Sequence, residues 1–137
     1  MTFSEAEKAA ISSLAAKISA NAEDFGADAL YRMFLSSPQT KTDFSHLDLS
    51  QGSKDLHSLG GKIVMAIGNA AQHVDDLDHA LPSLSDLHEL KLNIDPANFR
   101  KLSHSIQVGL SAHFPGEFTP VAQGAWDKFL ASVSKHR

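Results

Sequence analysis

Residues 83–99 read SLSDLHELKLNIDPANF and place one histidine, His88, among leucines at helical spacing. Leu84 precedes His88 by four residues and Leu92 follows it by four, so the three side chains share one helix face. Pro96, which suits the first turn of a helix, comes soon afterwards. An imidazole in apolar surroundings is a suitable axial ligand for the iron of a flat, apolar macrocycle. A lone histidine is more often a hydrogen-bonded residue of the core or the surface, and the sequence pattern alone leaves this alternative open for His88.

The composition limits what the chain can be. With 137 residues, of which 42% are hydrophobic, we expect one domain over residues 1–137 with a sizeable core. The absence of cysteine excludes both a disulfide framework and a thiolate metal site. A formal net charge of -4 argues against electrostatic binding to nucleic acid or to an anionic membrane.

The apolar residues are too scattered for a membrane segment. No stretch approaches the ~20 consecutive apolar residues that cross a bilayer. The opening residues, MTFSEAEKAA, are polar and acidic, whereas a secretory signal requires an apolar run. The sequence therefore predicts a cytoplasmic protein that spans no membrane.

The apolar periodicity is helical in the first half of the chain. Ser4 and Glu7 form a capping-box pattern before the first helix. A second helix is predicted from Asn21 to Phe34, ending before Pro38, and is followed by a short turn and a polar loop. A long third helix is predicted from residues 52–53 to about residue 75.

The second half continues the helical pattern. A short helix is predicted at residues 84–90, another from Pro96 to Phe114, and a last one from about Pro120. No run alternates apolar and polar residues in the way that a half-buried strand requires. Seven or eight helices with short links indicate an all-α fold.

Several motifs in this pattern resemble vertebrate haemoglobin. They are Pro38 at the end of the second helix, Phe44 in the next loop, Gly60 in the long helix, LSDLH at 84–88 and DPANF at 95–99. More narrowly, MFLSSPQTKTDF, HVDDLDHALPSLSDLH and HFPGEFTP resemble its alpha-type chain. The segments MTFSEAEKAAISSL, GSKDL and GGKIV look closest to larval amphibian alpha chains.

The resemblance implies a globin fold of seven to eight helices around haem b, iron protoporphyrin IX. His88 would be the iron ligand, with the Leu84 carbonyl fixing its tautomer. Phe44 would pack flat on the ring. His46 and Lys62 would pair with the propionates, although exposed side chains of this kind are often only solvated. The implied haem contacts are His88, Leu59, Phe44, His46, Lys62, Ile63, Leu84, Leu92, Ile94, Asn98, Phe99 and Leu102.

The position of Leu59 departs from the pattern of the family. It is where members usually carry the distal histidine that donates a hydrogen bond to dioxygen. His57 is a poor substitute, because two residues along a helix turn a side chain by ~200°. A hydrogen bond of this kind contributes about 1.5–3 kcal/mol, so we expect dioxygen to bind roughly tenfold to a hundredfold more weakly. Carbon monoxide, which is less polar when bound, should lose much less.

The resemblance also implies a beta-type partner chain in a heterotetramer. The residues that match its tight contact are Arg32, Phe34, His104, Phe118 and Pro120. The residues that match the contact that slides between quaternary states are Gln39, Thr42, Asp95 and Asn98. Asp43 stands where a tyrosine is usual, and the last helix is shorter by a few residues, with His136 in place of another tyrosine. We expect these changes to weaken cooperativity.

The predicted function is reversible transport of dioxygen, with binding of other diatomic gases, in red blood cells rather than enzymatic catalysis. One alternative is a redox globin that is peroxidase-like or consumes nitric oxide, and another is a gas sensor. Peroxidase chemistry requires a distal base, which Leu59 does not supply. A third alternative is a helical protein that binds an apolar ligand or only a partner, in which case His88 has no ligand role.

Overall fold

The computed structural model of the chain describes residues 3–45, 47–74 and 96–135. Within these ranges the chain forms five α-helices and one 3-10 helix, with no strand. The helices are α1 (Glu5–Ala20), α2 (Ala22–Ser36), the 3-10 helix (Pro38–Phe44), α3 (Lys54–Ala71), α4 (Pro96–His113) and α5 (Pro120–Lys135). This confirms the predicted all-α fold. The helix predicted at residues 84–90 lies outside the described residues.

Serine side chains cap the first turns of two helices, and the sequence predicted the first of these caps. At α1, Ser4 Oγ accepts a hydrogen bond from the Glu7 amide at 3.1 Å, and the Ser4 amide donates to Glu7 Oε1 at 2.8 Å. At α3, Ser53 Oγ accepts from the Leu56 amide at 3.1 Å. Each cap satisfies amides that the first turn of a helix leaves without a partner.

Two predicted boundaries differ from the structure. The segment after α2 is a 3-10 helix through Phe44 rather than a turn leading into an irregular loop. Pro38 begins it, because its fixed φ suits a helical first turn. The long helix α3 ends at Ala71, a turn before the predicted boundary near residue 75. Helix ends are the part of a helix that apolar periodicity defines least well.

Helices α2 and α3 touch through their backbones at two glycines. A Cβ built on Gly26 would lie 2.1 Å from the Gly60 carbonyl oxygen, and one built on Gly60 would lie 2.3 Å from the Gly26 carbonyl carbon. No side chain fits between the helices here. This is the most extensive helix contact among the described elements, and it fixes the position of α3 relative to α2.

The remaining helices enclose the core from the other side. Helix α4 packs on α2 and α5, and α5 packs on α1. Trp126 of α5 is fully buried, meets Phe129 edge to face with ring centroids 5.4 Å apart, and donates from Nε1 to the Ala10 carbonyl at 3.4 Å. α2 therefore contacts both α3 and α4, the two helices that supply most of the described site residues.

Candidate functional site

Phe44 occupies the end of the 3-10 helix and is fully buried. Its ring meets the ring of Phe34 on α2 edge to face, with centroids 5.4 Å apart. Edge-to-face pairs of this kind hold both rings in a defined orientation. The contact holds the Phe44 ring within the apolar core.

The buried face of α3 supplies Leu59 and Ile63. The two residues lie four apart on the helix, so they share one face. Both are buried, with exposed fractions of 8% for Leu59 and 2% for Ile63. Lys62 lies on the outer side of the same helix and is exposed. Helix α3 thus carries apolar side chains on its buried face and a cation on its outer side.

The first half of α4 supplies Phe99 and Leu102, which are both buried. Together with Phe44, Leu59 and Ile63 they belong to one continuous apolar core, built from three different elements. None of these five side chains carries a group that can accept or donate a proton. The described part of the site therefore offers hydrocarbon contacts and no acid or base.

These side chains fit the apolar faces of a porphyrin. A macrocycle of this size requires apolar contacts that exclude water from its faces. The described residues contain no group of three or more His, Asp or Glu side chains arranged to hold a metal ion. His88, the iron ligand that the resemblance implies, lies outside the described residues.

Six of the predicted haem contacts cannot be placed by the structure. The predictions for His46, Leu84, His88, Leu92 and Ile94 fall outside the described residues, and Asn98 lies in α4 with its side chain outside them. These assignments remain predictions from the sequence. The five predicted apolar contacts on the described elements are all buried, and their contact with haem stays a prediction.

His57 is engaged away from the apolar core. Its Nδ1 lies 2.9 Å from the Ser53 carbonyl oxygen, and its Nε2 lies 3.2 Å from Asp24 Oδ1 on α2. The hydrogen bond to the Ser53 carbonyl is the main cause that raises the pKa of His57 above its usual value of 6.5. Burial, the next largest cause, lowers this pKa, whereas the hydrogen bond and charge of Asp24 raise it further. Both ring nitrogens therefore already have partners, at Ser53 and at Asp24, and His57 does not replace the distal histidine.

The predicted partner contacts are only partly at the surface. Phe34 is 1% exposed and packs on Phe44, so its assignment to a partner contact is wrong. Its neighbour Leu35, which is not among the predicted partner contacts, is 61% exposed, and Val108 on α4 is 37% exposed. Phe118 is buried as well. Helical spacing could have separated Leu35 from the buried stripe of Phe34, because adjacent residues point about 100° apart.

Arg32, one of the predicted partner contacts, is partly buried and pairs with Asp28 on the same helix. Arg32 Nε donates to Asp28 Oδ2 at 2.7 Å, and His113 Nε2 lies 3.2 Å from the same oxygen, which links α2 to the end of α4. The other residues predicted to contact a partner that are exposed here are His104, Pro120, Gln39 and Thr42. Asp95 lies outside the described residues.

The described helices include none that is long and apolar enough to span a bilayer.

Comparison with known proteins points to one family. The family model described as Globin matches residues 27–136. The chain is 66% identical to Hemoglobin subunit alpha-5 of Xenopus laevis, over 98% of this chain and 94% of that protein. It is 58% identical to Hemoglobin subunit alpha-4 of the same species and 54% identical to Hemoglobin larval subunit alpha of Pleurodeles waltl, each over the same shares. These similarities agree with the motifs found in the sequence.

Proposed function

The chain belongs to the globin family, and from that premise we propose that it binds and transports dioxygen reversibly as an alpha-type haemoglobin subunit. Haem is the cofactor of this family and supplies a ferrous iron to which diatomic gases bind. The observation that carries the proposal is the 66% identity to a haemoglobin alpha chain over 98% of this chain. The buried apolar side chains of the 3-10 helix, α3 and α4 support it.

The residues divide into three roles in this proposal. His88 would hold the iron, and Phe44 would pack against the ring. Leu59 and Ile63 exclude water from the side where the gas binds, because both are buried hydrocarbon. As the resemblance implies, the other apolar haem contacts would be Phe99, Leu102, Leu84, Leu92 and Ile94, together with Asn98. His46 and Lys62 would pair with the propionates.

The exposed surface of α2 and α4 is the place for a beta-type partner. Leu35 and Val108 expose apolar area, and they line a groove of about 340 Å³ with Arg32, His104 and two serines. Exposed apolar side chains ringed by polar ones are typical of protein interfaces. The assembled protein would lie in the cytoplasm of red blood cells.

The described residues disfavour the redox alternative. Peroxide cleavage requires a group beside the substrate that moves a proton from one oxygen to the other. Leu59 and Ile63 cannot do this, and His57 is held by Ser53 and Asp24. The chemistry that these residues support is binding without bond cleavage.

Spectroscopy on the purified chain with added haem tests this function. We expect one haem per chain, repeated cycles of oxygenation and deoxygenation in the ferrous state, and peroxide turnover no faster than that of free haem. Mixing with a beta-type globin should give a larger assembly. Replacing His88 by glycine should abolish the native ferrous spectrum, and added imidazole should restore it, because a free ligand can fill the space left by the side chain.

Two results would contradict the proposal. An unchanged ferrous spectrum in His88→Gly would exclude this residue as the iron ligand. Rapid peroxide turnover by the native protein would favour the redox alternative. The matched variant is His104→Gly, which removes an exposed histidine of α4 and should leave the spectrum of the unmixed chain unchanged.

A further inference from the structure

His57 lies between two groups that can only accept hydrogen bonds. Its Nδ1 faces the Ser53 carbonyl oxygen at 2.9 Å, and its Nε2 faces a carboxylate oxygen of Asp24 at 3.2 Å. A neutral imidazole carries one N–H, whereas an imidazolium carries two. Only the protonated ring can donate to both partners. In the neutral ring, one nitrogen lone pair would face an oxygen lone pair.

We propose that His57 is a proton-binding site that fastens the first turn of α3 to the first turn of α2. Binding of the proton strengthens the packing of these two helices, and its loss weakens it. His57 is thus a positioning residue for α3, the helix that carries Leu59. The site is a property of the polypeptide and does not depend on the proposed haem chemistry.

The nearby contact between the backbones of α2 and α3 makes helix packing sensitive to this site. His57 precedes Gly60 by three residues, and Asp24 precedes Gly26 by two, so the hydrogen bond lies next to the place where the two backbones touch. That contact leaves no space for a side chain, and the helices can adjust there only by moving as a whole. A bond that forms or breaks one turn away therefore acts on the packing of both helices.

The charged groups around the ring favour its protonation. On α2, Asp24 contacts the ring and Glu23 lies close by, because a Cβ built on Gly61 of α3 would be 2.8 Å from the Glu23 Cγ. On α3 itself, Lys54 and Asp55 carry opposite charges. The positive end of the α3 dipole opposes a cation at this position, but two carboxylates of α2 outweigh one partial charge.

The direction of the pH dependence follows from the raised pKa of His57. The Ser53 carbonyl raises it most, followed by the hydrogen bond and charge of Asp24 and the charge of Glu23, whereas burial lowers it. A group whose pKa is higher in the folded state stabilises the fold fully below its unfolded value of 6.5. That contribution is lost as the pH rises through the higher folded value. The switch therefore operates above pH 6.5.

Nuclear magnetic resonance titration of His57 tests the proposal in the full chain, in its carbon-monoxide form when haem is bound. We compare the native protein with Asp24→Asn and with Glu23→Gln. These two variants change the net charge equally, but only Asp24 contacts the ring. We expect the His57 midpoint to lie above 6.5 in the native protein, to fall clearly in Asp24→Asn, and to fall less in Glu23→Gln.

Urea unfolding between about pH 6 and about pH 8.5 supplies a second readout. The native protein should lose stability over this range relative to His57→Asn, whose side chain does not titrate. A native His57 midpoint at or below 6.5, equal midpoints in the native and Asp24→Asn proteins, or identical pH profiles of the native and His57→Asn proteins would each overturn the proposal. The native titration decides the matter even if a variant fails to fold.

Discussion

Replacing Leu59 by histidine is expected to increase dioxygen affinity roughly tenfold to a hundredfold. Leu59 lies on the buried face of α3 beside Ile63, so the new imidazole would enter a space that now holds only hydrocarbon. There it would donate a hydrogen bond to dioxygen, which is partly negative when bound to ferrous haem. A hydrogen bond of this kind contributes about 1.5–3 kcal/mol.

The gain should appear mainly as slower dissociation of dioxygen, since contacts made after entry act on the escape rate. Flash photolysis and rapid mixing on the ferrous protein measure both rates. Leu59→Met is the matched control: it conserves volume and apolar character, and should leave the dioxygen dissociation rate close to native. An equal slowing in both variants would show that size, and not the hydrogen bond, sets the rate.

Replacing Gly60 by alanine is expected to lower the free energy of unfolding by about 3 kcal/mol or more. A Cβ at this position would lie 2.3 Å from the Gly26 carbonyl carbon and 2.5 Å from the Ala27 amide nitrogen. Both are backbone atoms of a buried helix, so they cannot rotate away as the end of a flexible side chain could. The helices must separate, which opens voids in the core between them.

Gly124→Ala provides the matched control for this prediction. Gly124 lies in α5 with nothing within 4 Å of a built Cβ, so the same substitution meets no atom. Alanine favours a helix over glycine by about 1 kcal/mol, and this variant should be slightly more stable than the native protein. Urea unfolding at equal haem occupancy measures both variants. A Gly60→Ala protein as stable as Gly124→Ala would contradict the backbone contact.

The sequence was sufficient to predict the helical class and most of the helix starts. Capping residues act locally, so the Ser4 cap of α1 could be assigned from spacing alone. The same holds for the burial of Leu59 and Ile63, because apolar spacing defines the inner face of a helix. The role of haem rested on the motifs that resemble haemoglobin, since a lone histidine does not identify its own ligand.

Other features depend on where helices meet, which periodicity does not reveal. The close approach of Gly26 to Gly60 follows only from the crossing of α2 and α3. Phe34 matched a partner contact by motif, yet its ring faces inward and leaves Leu35 at the surface. The pairing of His57 with Asp24 joins residues of two helices, and no local signal marks it.

The partition between dioxygen and carbon monoxide in the ferrous protein tests what Leu59 and Ile63 present to a bound gas. We propose that this chain presents only hydrocarbon to the gas, through the buried side chains of Leu59 and Ile63. We expect the native protein to favour carbon monoxide over dioxygen roughly tenfold to a hundredfold more strongly than Leu59→His does. Equal partition in the two proteins would contradict the claim, because dioxygen would then be stabilised by a polar group that the account does not contain.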